Sequence, residues 1–363
     1  MADSSKDQLY QLICDNPYVS QQALAEALGL SRSAVAGHIA SLTRERRLLG
    51  RAYVLPTPRT VVCLGGANVD RKLRSIAPLQ MGTSNPVAQQ ETPGGVARNV
   101  AENLARLGLP VSLLTAVGDD AAGRALLEHA AGLGIGTGGS LRVADQVTGS
   151  YTAVLDANGS MVLAMAAMAL CEALTPDYLA SCRPQRAQAS LMVADLNLPA
   201  ASLQVLLDEA RASAIPLVLV AVSAPKMARL PHDLSGLSLL VLNRDELEAL
   251  AGEPLPNLRA LTQACMALRA RGVQDLVVTL GAEGVAHTAG GKVQRLAAPK
   301  VKVVDVTGAG DAFSAGLCWS LSQQPQDLAL ACRRGLALAA LTLRSPASVC
   351  PDLNPNTLLE LPA

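Results

Sequence analysis

A doubly wound α/β domain, with a mostly parallel sheet and a small β flap, is predicted for most of this 363-residue chain. A small all-α domain, a helix-turn-helix followed by a wing, is predicted ahead of it. Three observations lead there. From Thr60 onward, short apolar runs alternate with helical periods, as parallel strands covered on both faces require. Two extended, half-polar segments, residues 71–92 and 148–162, interrupt that alternation and read as the flap. The first 55 residues carry three helical stripes that end in a short apolar strand.

In chain order, Leu9, Leu12 and Ile13 share one helical face, and Asn16-Pro17 ends that helix. Ser20 is an N-cap, with Ala23, Leu24 and Ala27 as the next buried stripe. Gly29 breaks the pattern. Ser31 caps a third helix with Val35, Ile39 and Leu42 inward. Gly50, Arg51 and Tyr53-Val54-Leu55 form the wing. Thr57-Pro58 marks the junction, which sets domains of residues 1–57 and 60–363.

Beyond it, Val61-Val62-Cys63-Leu64 is a buried strand that runs into Gly65-Gly66. Further strands are expected at 111–114, 191–193, 217–220, 239–242 and 276–279. Helices at 96–106 and 122–131 are among those between them. Asp156-Ala157-Asn158-Gly159 is a hairpin turn within the flap. Residues 301–304 read as one more strand, with an apolar helix at 312–321. Ligands then sit beyond the carboxyl ends of the strands.

Composition narrows the function classes. Half the residues are hydrophobic, 17% are charged, and Lys plus Arg equals Asp plus Glu at 30 each. Only local clustering can therefore point to nucleic acid. The eight cysteines lie in apolar runs with no C-x-x-C pair, so neither a zinc site nor a disulfide framework is expected. The polar stretch from Met1 to Gln8 lacks a signal pattern, and the longest apolar run, 161–171, is too short to span a bilayer. A cytoplasmic protein with no membrane partner is expected. The histidines show no metal-like spacing, and Gly134-Ile135-Gly136-Thr137-Gly138-Gly139 follows a helix, so it reads as a loop.

The strongest motif is Asp305-Val306-Thr307-Gly308-Ala309-Gly310-Asp311. Its glycines open a helix and leave amide N–H groups free for an anion, and Asp311 stands where a base would be needed beside a transferring phosphoryl group. Taken alone, the loop fits a plain helix start equally well. Three weaker elements accompany it. Pro93-Gly94-Gly95 opens a helix bearing Asn99. Asn243-Arg244-Asp245-Glu246 suits Mg²⁺ and its waters or a simple N-cap. Thr279-Leu280-Gly281-Ala282-Glu283-Gly284 suits nucleotide phosphates or a plain loop.

These four elements, in this order, resemble the PfkB, ribokinase-like carbohydrate kinase family over nearly all of residues 60–355. "GGxxxN" and "D-x-T-G-A-G-D" are the family's two signatures. The resemblance implies an ATP-dependent phosphotransferase with an alcohol acceptor. It implies Asp311 as catalytic base, and Gly308, Ala309 and Gly310 as the anion hole. It implies Asn68, Asp70, Gly94, Gly95, Asn99 and Asn197 as substrate contacts, and Asn243, Thr279, Gly281 and Gly284 as nucleotide contacts. Glu246 is implied for Mg²⁺, and Asp305 for a monovalent cation such as K⁺. A homodimer paired through the flap is a further implication. "TSNPVAQQETPGGVARNVAENLARLG" and "VADLNL" are most similar to the pseudouridine kinases, which makes a nucleoside or a pentose the expected substrate. Ala166 and Ala167 depart from the polar "A-I-N-D" of those enzymes, which leaves the base open.

The segment "QQALAEALGLSRSAVAGHIASLTRERRLLG" resembles the winged helix-turn-helix of bacterial regulators. It implies DNA binding, with Arg32, Ser33 and His38 on the recognition helix and Arg44, Arg46, Arg47 and Arg51 at phosphates. The alternatives are a docking or dimerisation domain, and a ligand-sensing regulator whose kinase-fold domain binds a sugar or nucleoside effector.

Overall fold

A computed structural model describes residues 5–15, 19–49, 60–213 and 215–359. The chain divides into two compact units, Met1–Arg59 and Thr60–Ala363. Asn16-Pro17, the wing at residues 50–55 and the junction at Thr57-Pro58 lie outside the described residues.

The first unit holds α1 (Ser5–Asp15), α2 (Gln21–Leu28) and α3 (Arg32–Arg44). Ser20 Oγ accepts the Ala23 N–H at 3.1 Å, and Ser31 Oγ accepts the Ala34 N–H at 3.2 Å, so both serines cap their helices. Leu9, Ile13, Leu24, Ala25, Val35, Leu42 and Leu48 form the core. The expected stripe on α2 is corrected: Ala23 and Ala27 are exposed, and Leu24 and Ala25 turn inward with Leu28 beside them. A face bearing two leucines removes more apolar area from water than one built on alanines.

The second unit begins with β1 (Val61–Leu64), β2 (Asn68–Ser75), β3 (Val87–Gly94), α4 (Val96–Arg106), β4 (Val111–Leu114), β5 (Ala116–Gly118) and α5 (Ala121–Gly132). It continues with β6 (Leu141–Val143), β7 (Ser150–Leu155), β8 (Met161–Ala167), α6 (Pro176–Ser181), α7 (Arg183–Ala187), β9 (Leu191–Asp195), α8 (Ala200–Ala212) and β10 (Leu217–Val220). The rest is β11 (Leu239–Asn243), α9 (Arg244–Ala251), α10 (Leu258–Ala270), β12 (Asp275–Thr279), β13 (Val285–Ala289), β14 (Lys292–Leu296), α11 (Ala309–Gln323) and α12 (Leu328–Thr342).

The main sheet runs β14-β13-β12-β11-β10-β9-β1-β4. It is parallel from β12 to β4, with β13 and β14 antiparallel at one edge. Side-chain alternation along β1 shows the two layers. Val62 and Leu64 pack with Leu203, Leu247 and Leu261 from α8, α9 and α10. Val61 and Cys63 pack on the other face with Val100, Phe313 and Leu338 from α4, α11 and α12.

The flap is a separate sheet, ordered β3-β2-β7-β8. Its β7–β8 turn is closed by Asp156, whose Oδ1 accepts the N–H groups of Asn158 and Ser160 at 2.9 and 2.8 Å. The root of the flap matters most for the site, because register pairs Asn68 with Gly94 and Asp70 with Thr92.

Residues 301–304 are not a strand. The N–H groups of Val304 and Asp305 both point to Leu343 O, at 2.8 and 3.4 Å, and no ladder forms. Val303 and Val304 are exposed. A valine run has the composition of a strand, but a strand also needs a neighbour. Gly136, within the glycine-rich loop, exchanges backbone hydrogen bonds with Val111 and Leu113 at 2.9 Å, so that loop edges β4.

Candidate active site

Asp195, at the end of β9, joins three chain segments. Its carboxylate accepts the N–H groups of Gly66 and Ala97, both at 2.9 Å, and of Asn197 at 2.8 Å. The exit of β1, the first turn of α4 and the loop after β9 are thereby fixed to one buried acid. Burial raises the pKa of Asp195, and the amide donors oppose that rise.

Around this point four polar side chains lie almost wholly buried: Asn68, Asp70, Asn99 and Asn197. Asn68 Nδ2 donates to Asp70 Oδ1 at 2.7 Å. Asp70 leans over Gly94 so closely that a Cβ there would stand 2.3 Å from its Cγ. Burial raises the pKa of Asp70, against Asn68, Arg98 and Lys72. Asn197 lies over Gly66, and its Oδ1 accepts from Lys226 Nζ at 2.7 Å. Met168, just after β8, reaches the same glycine: its Cε would be 3.1 Å from a Cβ placed on Gly66. Gly95 stands at the start of α4, against Gly66 O.

The start of α11 closes the set. Gly308 has φ +78°, and a Cβ on it would stand 2.0 Å from Ser348 O, so only glycine makes this turn. Ala309 N–H donates to Val306 O at 3.3 Å. Among the described residues no acceptor takes the N–H of Gly310 or Asp311, which remain free as helix starts leave them. A Cβ on Gly310 would meet nothing within 4 Å, so the turn has open space on that side.

Asp311 Oδ2 accepts from Asn99 Nδ2 at 2.7 Å. Its carboxyl is pushed up to about 7, first by burial and then by the charges of Asp195 and Asp70, while Asn99 and Arg98 oppose the rise. A carboxylate near neutrality is suited to taking a proton from an alcohol. Arg98, missed at the level of sequence, donates to Asn99 Oδ1, to Pro93 O at 3.2 Å and to Glu102 Oε2 at 2.5 Å.

The residues expected at the nucleotide end lie along the same sheet edge. Asn243 and Thr279 are register partners at the ends of β11 and β12. Asn243 Oδ1 accepts the Glu246 N–H at 2.8 Å and Glu246 Oε2 accepts the Asn243 N–H at 2.7 Å, a capping box that opens α9. Burial raises the pKa of Glu246. A Cβ on Gly281 would meet nothing within 4 Å, whereas one on Gly284 would strike Leu296 O. No side-chain hydrogen bond joins this group to Asp311 among the described residues.

Asp305 is not an open cation ligand. Its Oδ1 accepts the Thr307 N–H at 2.8 Å, and its Oδ2 holds the ammonium of Lys72, which reaches over from the flap. Burial would raise this carboxyl, but Lys72 and Thr307 outweigh it and hold it low.

On α3, Arg32 and Ser33 are exposed and His38 is half-buried, while Arg44 and Arg46 are exposed at its end. Arg47 is engaged within the domain: its Nη1 meets Asp7 Oδ1 at 2.8 Å and its guanidinium lies 4.1 Å from the Tyr10 ring centroid. That corrects its expected availability for phosphate. Arg51 lies outside the described residues.

Asp195, Arg98, Lys72 and Lys226 are the site residues that sequence reasoning missed. Asp195 is the last residue of an apolar strand, at the carboxyl end where a parallel sheet gathers its ligand groups, and that position was its available signal.

Residues 58–352 match the family model described as pfkB family carbohydrate kinase, and residues 6–46 match that of the winged helix-turn-helix DNA-binding domain. The chain is 33% identical over 365 residues, 99% of each protein, to the uncharacterised sugar kinase YeiI of Escherichia coli. It is 36% identical over 262 residues to the pseudouridine kinase of the same organism, covering 71% of this chain and 83% of that one. A solved structure of Arabidopsis thaliana ribokinase with ribose and ATP shares the fold, at a TM-score of 0.72 and 22% identity, over 84% of this chain and 98% of that one.

Proposed function

The chain belongs to the pfkB carbohydrate kinase family, phosphotransferases that act on a hydroxyl, and on that premise we propose that it moves the γ-phosphate of ATP to a primary hydroxyl of a nucleoside or pentose. The observation that carries this reading is the Asn99–Asp311 hydrogen bond of 2.7 Å beside the unpaired amides of Gly310 and Asp311. A base and an anion site then share one helix start.

In this reading Asn68, Asp70, Gly94, Gly95 and Asn197 bind and orient the sugar hydroxyls. Asn99 holds the acceptor hydroxyl against Asp311. Asp311 removes its proton as the oxygen attacks phosphorus. Of the expected anion hole of Gly308, Ala309 and Gly310, the amide of Gly310 is unpaired and, with that of Asp311, receives the negative charge on the transferring group, whereas the Ala309 N–H is held by Val306 O. Asn243, Thr279, Gly281 and Gly284 line the nucleotide end. ATP as donor is supported by the ATP-bound ribokinase of the same fold. Glu246 fits Mg²⁺, because a single buried carboxylate beside phosphates suits an ion that keeps most of its water. Bound there, Mg²⁺ would neutralise phosphate charge. The residues do not fit K⁺ at Asp305, where Lys72 already supplies the positive charge.

A nucleoside of the pseudouridine kind is favoured by the 36% identical relative. Ala166 and Ala167 on β8 offer no side-chain hydrogen bond, and Met168 adds an apolar contact near Asn197. Steady-state assays with ATP against pseudouridine, uridine, other nucleosides and ribose test this. The expected result is turnover of a ribose-containing compound that Asp311→Asn abolishes; equal turnover by that variant overturns it.

A second reading, binding of DNA by residues 1–57, stands beside the first and is supported by the winged-helix match and the exposed Arg44 and Arg46. Pairing of two chains through the flap is supported by the exposed Met161, Val162, Leu163 and Met165 on the edge strand β8. Among the described residues no helix is long and apolar enough to cross a membrane.

A further inference from the structure

We propose that Arg98 and Glu102 form a positioning pair that orients Asn99 on Asp311 and sets the electrostatic field around that base. The pair rests on the kinase reading of the same site. Arg98 is 2% exposed and Glu102 is 4% exposed, on a helix buried from Ala97 to Leu104. Nothing in the packing of an α/β core requires two opposite charges there; an apolar pair of similar volume would be at least as stable. Arg98 is also imperfectly satisfied, since its Nε has no hydrogen-bond partner.

Its other nitrogens are used with direction. One takes Glu102 Oε2 at 2.5 Å. The other takes Pro93 O at 3.2 Å and Asn99 Oδ1. With its oxygen held by Arg98, the Asn99 side chain must present its NH₂ to Asp311, as it does at 2.7 Å. The amide cannot flip without placing its NH₂ against the guanidinium. Glu102 is held in turn by Arg106 at 2.8 Å and by His129 Nε2 at 3.3 Å, so a polar chain runs from the surface of α5 to the base.

The pair also governs charge. The groups that act most strongly on Asp311 are Asn99 and Arg98 from α4, Asp70 from β2 and Asp195 from β9. Arg98 is the one cation among them. Glu102 partly cancels Arg98, and Arg106 and His129 face Glu102 from behind. Removing each partner should therefore move Asp311 in opposite directions. Glu102→Gln leaves Arg98 uncompensated and favours the ionised base. Arg98→Met removes the cation, leaves Glu102 behind and favours the protonated base.

The test is the titration of Asp311 in the full, ligand-free chain, followed by carboxyl ¹³C NMR with Asp311→Asn to assign the signal. It needs no substrate, so its failure is separate from a failure to find one. The midpoint is expected to fall by about one unit in Glu102→Gln and to rise by about one unit in Arg98→Met. Shifts of the same sign, or none beyond error, overturn the proposal, because loss of packing alone has no such sign. Should Arg98→Met fail to fold, Glu102→Gln decides alone: a midpoint that does not fall is fatal. Arg98→Lys completes the test on the substrate found by the panel. It keeps the charge and loses the second arm, so the pH–rate midpoint should stay while kcat falls about tenfold. An unchanged kcat removes the positioning role.

Discussion

At Asp311, burial and two neighbouring carboxylates act against one donor and one cation, and the carboxyl is pushed up to about 7. Since a general base works ionised, kcat/KM should rise with pH through about 7 and level off above it. Asp311→Asn keeps an oxygen for Asn99 but cannot take a proton, and kcat/KM should fall by ~10³. The same residue links activity to stability. An unfolded Asp ionises near its ordinary value, so between that pH and 7 the folded chain holds the extra proton, and stability declines as pH rises across this window. Asp311→Asn removes the strain of burying the charge. Its unfolding free energy should exceed that of the wild type at pH 8, by on the order of 1–2 kcal/mol after allowance for solvent, with a correspondingly higher melting temperature, and match it near pH 4. Equal melting temperatures at pH 8 would contradict the raised carboxyl. The two glycines beside it separate fold from function. Gly308→Ala forces a Cβ against Ser348 O and should lower the melting temperature sharply. Gly310→Ala points a methyl into open space, and should melt like the wild type while losing phosphoryl transfer and nucleotide affinity.

Among the elements, the flap strand β2 carries both a substrate-facing end, Asn68 and Asp70, and Lys72, which reaches Asp305 in the loop before α11. With the ammonium in place, replacing KCl by tetramethylammonium chloride at equal ionic strength should leave turnover within about twofold, a small effect on a free-energy scale. Lys72→Met opens Asp305 and should lose activity that K⁺ restores better than tetramethylammonium; strong K⁺ activation of the wild type would contradict the role given to Lys72. The same elements show which features are legible in a sequence. β1 and β10 are short all-apolar runs, and a strand buried on both faces has no other composition, so their bounds follow from residue type. The glycine-opened helices α4 and α11 follow as well, because their turns demand particular residues. Residues 301–304 mislead because β-propensity describes a surface that fits a neighbour, and Leu343 O rather than a strand takes their amides. Asp195, Lys72 and Lys226 act across 29 to 233 residues of sequence, and no local spacing announces such partners. Arg98, Glu102 and Arg106 do repeat at every fourth position, but that pattern reads as a solvated face until the helix is seen to be buried.

Across the whole molecule, equal numbers of acidic and basic residues hide an uneven distribution. From residue 31 to 51 there are five arginines and one acid, Glu45, and Glu45 is drawn to Lys6 and Ser41 within its own domain. Lys6 and Ser41 hold the Glu45 carboxyl low, so it stays charged, yet it is turned toward them. Arg44 and Arg46 are left outward, whereas Arg47 is spent on Asp7 and Tyr10. If the domain meets DNA through phosphates, these arginines should contribute unequally. Each phosphate contact adds about 0.9 to the slope of log K against log salt, so Arg44→Ala with Arg46→Ala should flatten that slope by about 2. Arg47→Ala should instead lower the melting temperature of the helical unit, with a smaller change in slope. Kinase turnover should be the same in the double variant as in the wild type, since neither arginine belongs to the phosphoryl-transfer site. Fluorescence anisotropy on labelled duplex from upstream of the coding region, at several KCl concentrations, reads all three. An absent signal at the lowest salt, or an identical slope in the double variant, would remove phosphate contact by this face and leave the helical unit as a docking module.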